Sequence, residues 1–385
     1  VSTLLLAGGG TGGHVFPLVA VADALKALAP DLRLVFVGTE RGMETRFVPE
    51  RGYELELVRV VPIRGGGVKG AMRGAWRAMM SLPEARRLLK RHAPSAVLSI
   101  GGYAAGPVSL AARLSGIPLA LIEPNTVMGL ANRLTVPLVQ RGYTAFEETE
   151  AYFRSEKVLS TGVPIRAGFD PRMYTHQAGE VRILVLGGSQ GAKSLNETLP
   201  EALAQVKAKI SVVHQSGRAH ADAVESLYSR LEPSFSVKVV PFIDDVPEAL
   251  AGADLVIGRS GAGAVSEIAA VGRPALFVPY PYAAGDHQRK NAESLVRVGA
   301  AVCVPSAEAT RERLTTEIEA LATTPGLLER MADASKGWGR PHAAEAVAKD
   351  LLALAGLADF VVTQRASEHA PADDERASKL VEVTT

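Results

Sequence analysis

Cysteine is almost missing: Cys303 is the only one among 385 residues. That excludes an intrachain disulfide and any cysteine-cluster zinc or iron–sulfur centre, and it fits a reducing compartment. Long apolar runs are missing too. A bilayer span needs roughly 18 successive apolar residues, and the best stretch, 107–122, is interrupted by Arg113. No basic segment precedes the apolar run at 3–7, so no signal peptide is expected and a cytosolic chain is the default. Neither sign of charge dominates: 42 Lys and Arg face 41 Asp and Glu, for a net +1. A dedicated nucleic-acid binder carries a clearly basic domain, so no nucleic-acid partner is expected. Finally, the chain has no D-x-D motif and no H-E-x-x-H pair. Metal-dependent sugar transfer or hydrolysis is left without support, and no metal or cofactor is expected.

What is present reads as a soluble α/β protein. Hydrophobic residues make up 47% and charged residues 22%, the proportions of a globular chain, and the length suits two domains. Short apolar runs alternate with helical patterns, which predicts βαβ units and parallel sheets. In the first half the predicted strands are 3–7, 32–37, 55–60, 96–100 and 119–122, with a helix over 17–28 that Pro17 suits as a first-turn residue. The pattern restarts at 181–186 and continues at 210–214, 237–240, 254–257, 275–278 and 301–304. Between the halves, Thr161-Gly162-Val163-Pro164-Ile165-Arg166 and a polar stretch to Gly179 read as a hinge. The expectation is two Rossmann-like domains, 1–163 and 164–340, each opening with strand, glycine-rich loop and helix. A C-terminal helix over 341–358 is expected to pack back on the first domain, and 359–385 to be a disordered tail.

Four glycine-rich turns each follow a predicted strand: Gly8-Gly9-Gly10-Thr11-Gly12-Gly13-His14, Gly101-Gly102-Tyr103-Ala104-Ala105-Gly106, Gly187-Gly188-Ser189-Gln190-Gly191-Ala192 and Gly258-Arg259-Ser260-Gly261-Ala262-Gly263. Such a turn lets backbone approach a ligand, and the helix that follows offers unpaired N–H groups to a phosphate. Any one of them could equally be a tight connection. Strand ends in a doubly wound sheet converge on one crevice, so four together point to a site. Single-motif labels fit less well. Gly8, Gly10 and Gly13 match G-x-G-x-x-G with Glu40 after the next strand, as in a nicotinamide-dependent oxidoreductase, but the second half lacks that spacing. Gly187-Gly188-Ser189-Gln190-Gly191 matches a nucleophile elbow, with Asp254 and His287 as the acid and base it would need, yet this leaves the first domain without a role. Ala192 breaks the Walker pattern at Lys193-Ser194.

Among polar residues, His14 follows the first loop at a helix start, where an imidazole can be a general base or merely a capping side chain. Glu267, in the helix after Gly263, could accept from sugar hydroxyls or simply be a first-turn carboxylate. The run from Asp286 through Asn291 could meet a ligand or be a solvated helix start, and Arg166 could bind a diphosphate or bridge domains.

Taken in order, Gly8 to Pro17, Gly101-Gly102-Tyr103, Gly187 to Ala192 and Ser260 to Glu267 resemble the MurG family of glycosyltransferases over about residues 3–357. That resemblance implies the GT-B fold, two Rossmann-like domains facing a cleft. It implies inverting, metal-independent transfer of GlcNAc from UDP-GlcNAc to the 4-hydroxyl of MurNAc in lipid I, at the inner face of the cell membrane. It also implies work beside other cell-wall or division proteins. Another GT-B transferase with a different donor or acceptor is the nearest alternative. By the resemblance His14 is the base; Thr11, Gly12 and Gly13 lie by the donor sugar and diphosphate; and Asn125 and Gln288 contact GlcNAc. Arg166 and Ser189 address the nucleotide and its phosphates, Ile243 the uracil, Glu267 the ribose, and Tyr103 the acceptor. One departure is Glu123-Pro124-Asn125, where the family usually has Gln at the middle position; proline removes a backbone donor there.

The neutral total hides a basic block. Arg59, Arg64, Lys69, Arg73, Arg77, Arg86, Arg87, Lys90 and Arg91 stand against one acid, Glu84, and are interleaved with Met72, Trp76, Met79 and Met80. That combination suits an anionic membrane surface, the alternative being a solvated face with its apolar residues turned inward.

Overall fold

The computed structural model describes residues 2–58, 81–102, 104–176, 179–188 and 191–358. Its first unit runs β1 (Thr3–Gly8), α1 (Gly12–Leu28), β2 (Arg33–Gly38), α2 (Glu44–Glu50), β3 (Glu54–Leu57), α3 (Leu82–His92), β4 (Ala96–Gly101) and α4 (Ala105–Leu114). It continues through β5 (Leu119–Glu123), α5 (Leu130–Thr135), β6 (Arg141–Thr144), α6 (Glu147–Glu150) and β7 (Val158–Ser160). The second unit runs β8 (Val181–Leu186), α7 (Lys193–Leu203), β9 (Ile210–Gln215), α8 (Ala221–Leu231), β10 (Ser236–Val240) and α9 (Val246–Ala251). Then come β11 (Leu255–Gly258), α10 (Ala262–Val271), β12 (Ala275–Phe277), α11 (His287–Arg297), β13 (Ala301–Cys303), α12 (Arg311–Thr323), α13 (Leu327–Trp338) and α14 (Ala343–Leu354).

The strands form two sheets, ordered β3-β2-β1-β4-β5-β6-β7 and β10-β9-β8-β11-β12-β13. Every pairing is parallel, for example Leu5 with Val35 and with Val97, or Val185 with His214 and Ile257 with Val185. Central strands such as β1 (Thr-Leu-Leu-Leu-Ala-Gly) are buried at every residue, as a sheet covered by helices on both faces requires. Strand β3, at the sheet edge, alternates glutamate with leucine and stays partly exposed, which blunts further pairing. In the first unit α1 and α14 cover one face, and α3 and α4 the other. In the second, α7, α8 and α12 oppose α9, α10 and α11.

Three readings of the sequence change. Helix α1 begins at Gly12, so Pro17 lies inside it rather than in its first turn; the carbonyl four residues back, on Gly13, then has no helical N–H to accept. The reading at 55–60 shrinks to β3 over Glu54–Leu57, and 59–60 lie outside the described residues. Strands β6 and β7 were not expected. Strand β6 (Arg-Gly-Tyr-Thr) has no apolar run, and it is anchored from far along the chain: Arg141 Nε and Tyr143 Oη donate to Asp350 Oδ2 at 2.8 Å each. Asp350 belongs to α14, which crosses back after Trp338 and buries Val347, Ala348, Leu351 and Leu352 in the first unit's core. At the crossing the Trp338 ring sits 5.6 Å from that of Phe146.

Because Leu351 is wholly buried between α14 and α1, Leu351→Ala should cost about 2–5 kcal/mol. Denaturant titration of the two units, followed separately, should show the first losing stability while the second does not.

Candidate functional site

Both sheets reverse their strand order at one place, between β1 and β4 and between β8 and β11. All four glycine-rich turns leave these four strands at their carboxyl ends, where a doubly wound sheet opens its crevice. Among the described residues, no N-cap side chain (Thr11, Ala104, Ala192 or Gly261) bonds the first turn of the helices that follow, α1, α4, α7 and α10. Their first amide N–H groups are therefore open to an anionic ligand.

The two units close on one another through the loop after β5. Asn291 of α11, fully buried, accepts from Thr126 N at 3.0 Å and from Thr126 Oγ1 at 2.9 Å. Its amide nitrogen donates to Asn125 Oδ1 (3.3 Å) and to the Ser260 carbonyl (3.2 Å). One side chain thus ties the β5 loop to the turn after β11. Arg297 pairs with Glu148 across the same boundary, and α1 touches α10. The polar run at Asp286–Asn291 is split accordingly: Arg289 and Lys290 face solvent while Asn291 is interior.

Within this frame the expected residues fall as follows. Thr11 is the exposed, extended N-cap of α1, and Gly12 and Gly13 are its first two residues. His14 Nδ1 lies 3.2 Å from the Gly9 carbonyl. Burial pushes its imidazole below the usual range, the Gly9 bond and the Glu44 charge oppose that, and His287 on α11 adds to it. Asn125 and Gln288 both have their amide oxygens engaged, by Asn291 (3.3 Å) and by Tyr280 N (2.9 Å), and the Asn125 side chain also bonds the Glu123 carboxyl. The Gln288 carbonyl accepts from Ser260 Oγ at 2.8 Å. Glu267 is the sixth residue of α10 rather than a first-turn group. Burial pushes its carboxyl up to about 7, with the Arg166 charge acting the other way. The exposed Arg166 guanidinium rests 5.3 Å over the Phe169 ring. Ile243 packs half-buried on the second unit's core, beside β10's end. Tyr103 and Ser189 lie outside the described residues, as do most of the basic block (59–80) and the tail from 359. A recess of about 330 Å³ is lined by Glu147, Glu150, Gly162, Ser266, Trp338 and Arg340.

The proline at 124 is accommodated. Glu123, buried, accepts from Asn125 N (3.1 Å), Gly129 N (3.3 Å) and Asn132 Nδ2 (2.8 Å). The loop is therefore held from within, and burial raises the Glu123 carboxyl. Asp254, drafted for a hydrolase, is instead bound by Arg182 on β8 at 2.7 Å and is fully buried. Three participants escaped sequence reading: Asn291 as the bridge, Arg259, and Glu44. Arg259 donates to the carbonyls of Val278 and Pro279 and to Ser194 Oγ. Glu44 is 1% exposed and bonded to the first loop. Among the described residues Glu54, Glu56 and His92 could together hold a cation, but Arg33 and Arg91 already engage the two carboxylates.

The glycosyltransferase family 28 N-terminal domain matches residues 4–144, and the C-terminal domain of the same family matches 182–348. A UDP-N-acetylglucosamine–N-acetylmuramyl-(pentapeptide) pyrophosphoryl-undecaprenol N-acetylglucosamine transferase of Sorangium cellulosum is 53% identical over 92% of this chain and 88% of its own. A protein of the same name from Anaeromyxobacter sp. strain K is 41% identical over 90% of this chain and 91% of its own. Among solved structures, Acinetobacter baumannii MurG superposes with a TM-score of 0.79 at 33% identity, covering 92% of this chain and 99% of that one. The kitacinnamycin glycosyltransferase, at 21% identity and a TM-score of 0.67 over 92% of this chain and 99% of its own, shares the fold.

The Glu267 carboxyl, at about 7, lies above the roughly 4.3 of an unfolded chain. Between those values the folded protein keeps a proton that the unfolded chain has released, so stability falls as pH rises through this window. Glu267→Gln should reduce the loss of urea-unfolding stability between about pH 5 and about pH 8 by about 1–3 kcal/mol. An unchanged slope would mean that water reaches and solvates the carboxylate.

Proposed function

The chain belongs to glycosyltransferase family 28, and we infer that it moves GlcNAc from UDP-GlcNAc to the N-acetylmuramyl-pentapeptide of undecaprenyl-pyrophosphate-linked lipid I, giving lipid II and UDP. The identity to transferases of that name across nine-tenths of the chain carries this reading. The relatives' identity favours neither a nicotinamide enzyme nor a transferase with another donor and acceptor.

In this reading residues 1–163 hold the acceptor and residues 164–340 the donor. The acceptor 4-hydroxyl attacks the anomeric carbon, the bond from that carbon to the β-phosphate oxygen breaks, and configuration inverts. The hydroxyl proton passes to His14 Nε2, and the electron pair of the broken bond leaves with UDP. Supporting the role of His14 are its Nδ1, 3.2 Å from the Gly9 carbonyl, and a pKa lowered by burial, which favours the neutral ring. The leaving diphosphate would gather charge stabilisation from the uncapped start of α10, from Thr11, Gly12 and Gly13, and from Arg166 and Ser189. The side-chain amides of Asn125 and Gln288 suit GlcNAc oxygens. Glu267 suits the ribose diol and Ile243 the uracil, while Tyr103 belongs to the acceptor side.

A lipid-linked acceptor has to be met at a membrane. Among the described residues no helix is long and apolar enough to cross one. Helix α3 turns Ala85, Leu88 and Leu89 inward and exposes Arg86, Arg87, Lys90 and Arg91, a face suited to anionic headgroups on the cytoplasmic leaflet.

Radiolabelled UDP-GlcNAc with a lipid I analogue should yield labelled lipid II; folded protein that transfers nothing would overturn the reading. His14→Ala should keep UDP affinity while lowering turnover about 100-fold or more, and full turnover would remove His14 from the role of base. In sedimentation assays the protein should bind anionic vesicles and be released by salt; equal binding to neutral vesicles would count against the charged face.

A further inference from the structure

Glu44 sits at the start of α2, outside every motif, yet three glycines make room for its carboxylate. A Cβ added at Gly9 would fall 2.2 Å from Glu44 Oε1, one at Gly42 would fall 1.9 Å from Oε2, and one at Gly38 would fall 2.3 Å from Cγ. The carboxylate fills this cradle at 1% exposure. Oε1 accepts from Thr39 N (2.8 Å) and Thr39 Oγ1 (3.0 Å), and Oε2 accepts from Gly10 N (2.8 Å).

The last of these bonds matters most. The Gly10 N–H belongs to the same peptide unit as the Gly9 carbonyl, and that carbonyl is the partner of His14 Nδ1 at 3.2 Å. Glu44, one peptide group and the imidazole therefore form a continuous line. On the far side Gly102 closes in, since a Cβ there would come 2.9 Å from the Gly9 oxygen and 3.7 Å from His14 Nδ1. We propose that Glu44 is the positioning residue for His14, acting through the Gly9–Gly10 peptide as a carboxylate acts directly on the histidine of a catalytic triad. This rests on His14 being the base. A carboxylate accepting the Gly10 N–H polarises the peptide and makes its carbonyl a better acceptor. The neutral imidazole is then held with its proton on Nδ1 and its lone pair on Nε2, the atom that faces the reacting hydroxyl. The buried negative charge also offsets part of the burial that disfavours the imidazolium formed during transfer. Among the described residues, the charged or titratable groups that act on His14 are Glu44 from α2 and His287 from α11. His287 donates from Nδ1 to the Ala284 carbonyl at 2.9 Å and works against the cation, so of these two Glu44 is the charge that favours it.

The test uses the full chain with labelled histidine, the His14 signal being identified by its loss in His14→Gln. In the unsubstituted protein, nitrogen shifts of neutral His14 should place the proton on Nδ1; a proton on Nε2 overturns the proposal without any variant at Glu44. Glu44→Gln keeps the volume but removes the charge. It should move the His14 titration midpoint to lower pH by about half a unit or more. It should also reduce kcat about tenfold or more, with KM for UDP-GlcNAc changed less than about twofold. A folded Glu44→Gln protein whose His14 titrates like the unsubstituted chain also overturns it. If both spectroscopic results hold while His14→Ala retains full turnover, the relay stands and the assignment of His14 as base falls.

Discussion

Parallel strands can be joined only by crossovers that pass over the sheet, and where the strand order reverses, neighbouring crossovers leave for opposite faces. The gap they leave cannot be filled by either connection. In this chain that gap occurs between β1 and β4 and again between β8 and β11. Each side of each gap ends in a glycine-rich turn and an uncapped helix start. The chemistry of the site follows from that constraint. Backbone N–H groups and helix dipoles converge where no side chain was needed to bring them, which suits the polyanionic leaving group of a nucleotide-sugar transferase.

Two crevices become one cleft only if the units are held in register, and polar groups do much of this. Asn291 meets Thr126, Asn125 and Ser260 at once, and the return of α14 to the first core joins the units a second time. A buried amide with donor and acceptor both satisfied is directional, unlike an apolar contact, and so defines one relative placement. The site's own electrostatics follow the same economy. Burial lowers the pKa of His14 and raises that of Glu267 to about 7, and Glu44 keeps its contacts with three donors in a space that only glycines could leave.

Much of this was legible before any coordinates. The apolar runs of β1, β2, β4, β5 and β8 announced buried parallel strands because both their faces are covered, so no polar alternation interrupts them. The glycine-rich turns marked a candidate site because a backbone that must approach a ligand tolerates little else. Strand β6 was not legible, since Arg141 and Tyr143 are kept in the sheet by Asp350, some two hundred residues away. Glu44 was not legible either. Its meaning comes from glycines at 9, 38 and 42 that no local pattern connects, and Asn291 stood in a polar run that could meet a ligand or open a solvated helix.

By itself, then, the order of residues determined the two α/β units and the four turns, because these depend on periodicity and on backbone freedom, which are local; the role of His14 came from the resemblance of the motifs in their order. Only the tertiary structure decided which carboxylate faces the first loop, which amide joins the units and which helix completes the first core. Those depend on burial and on hydrogen bonds between distant segments, and a side chain's environment exists only once the chain has closed around it.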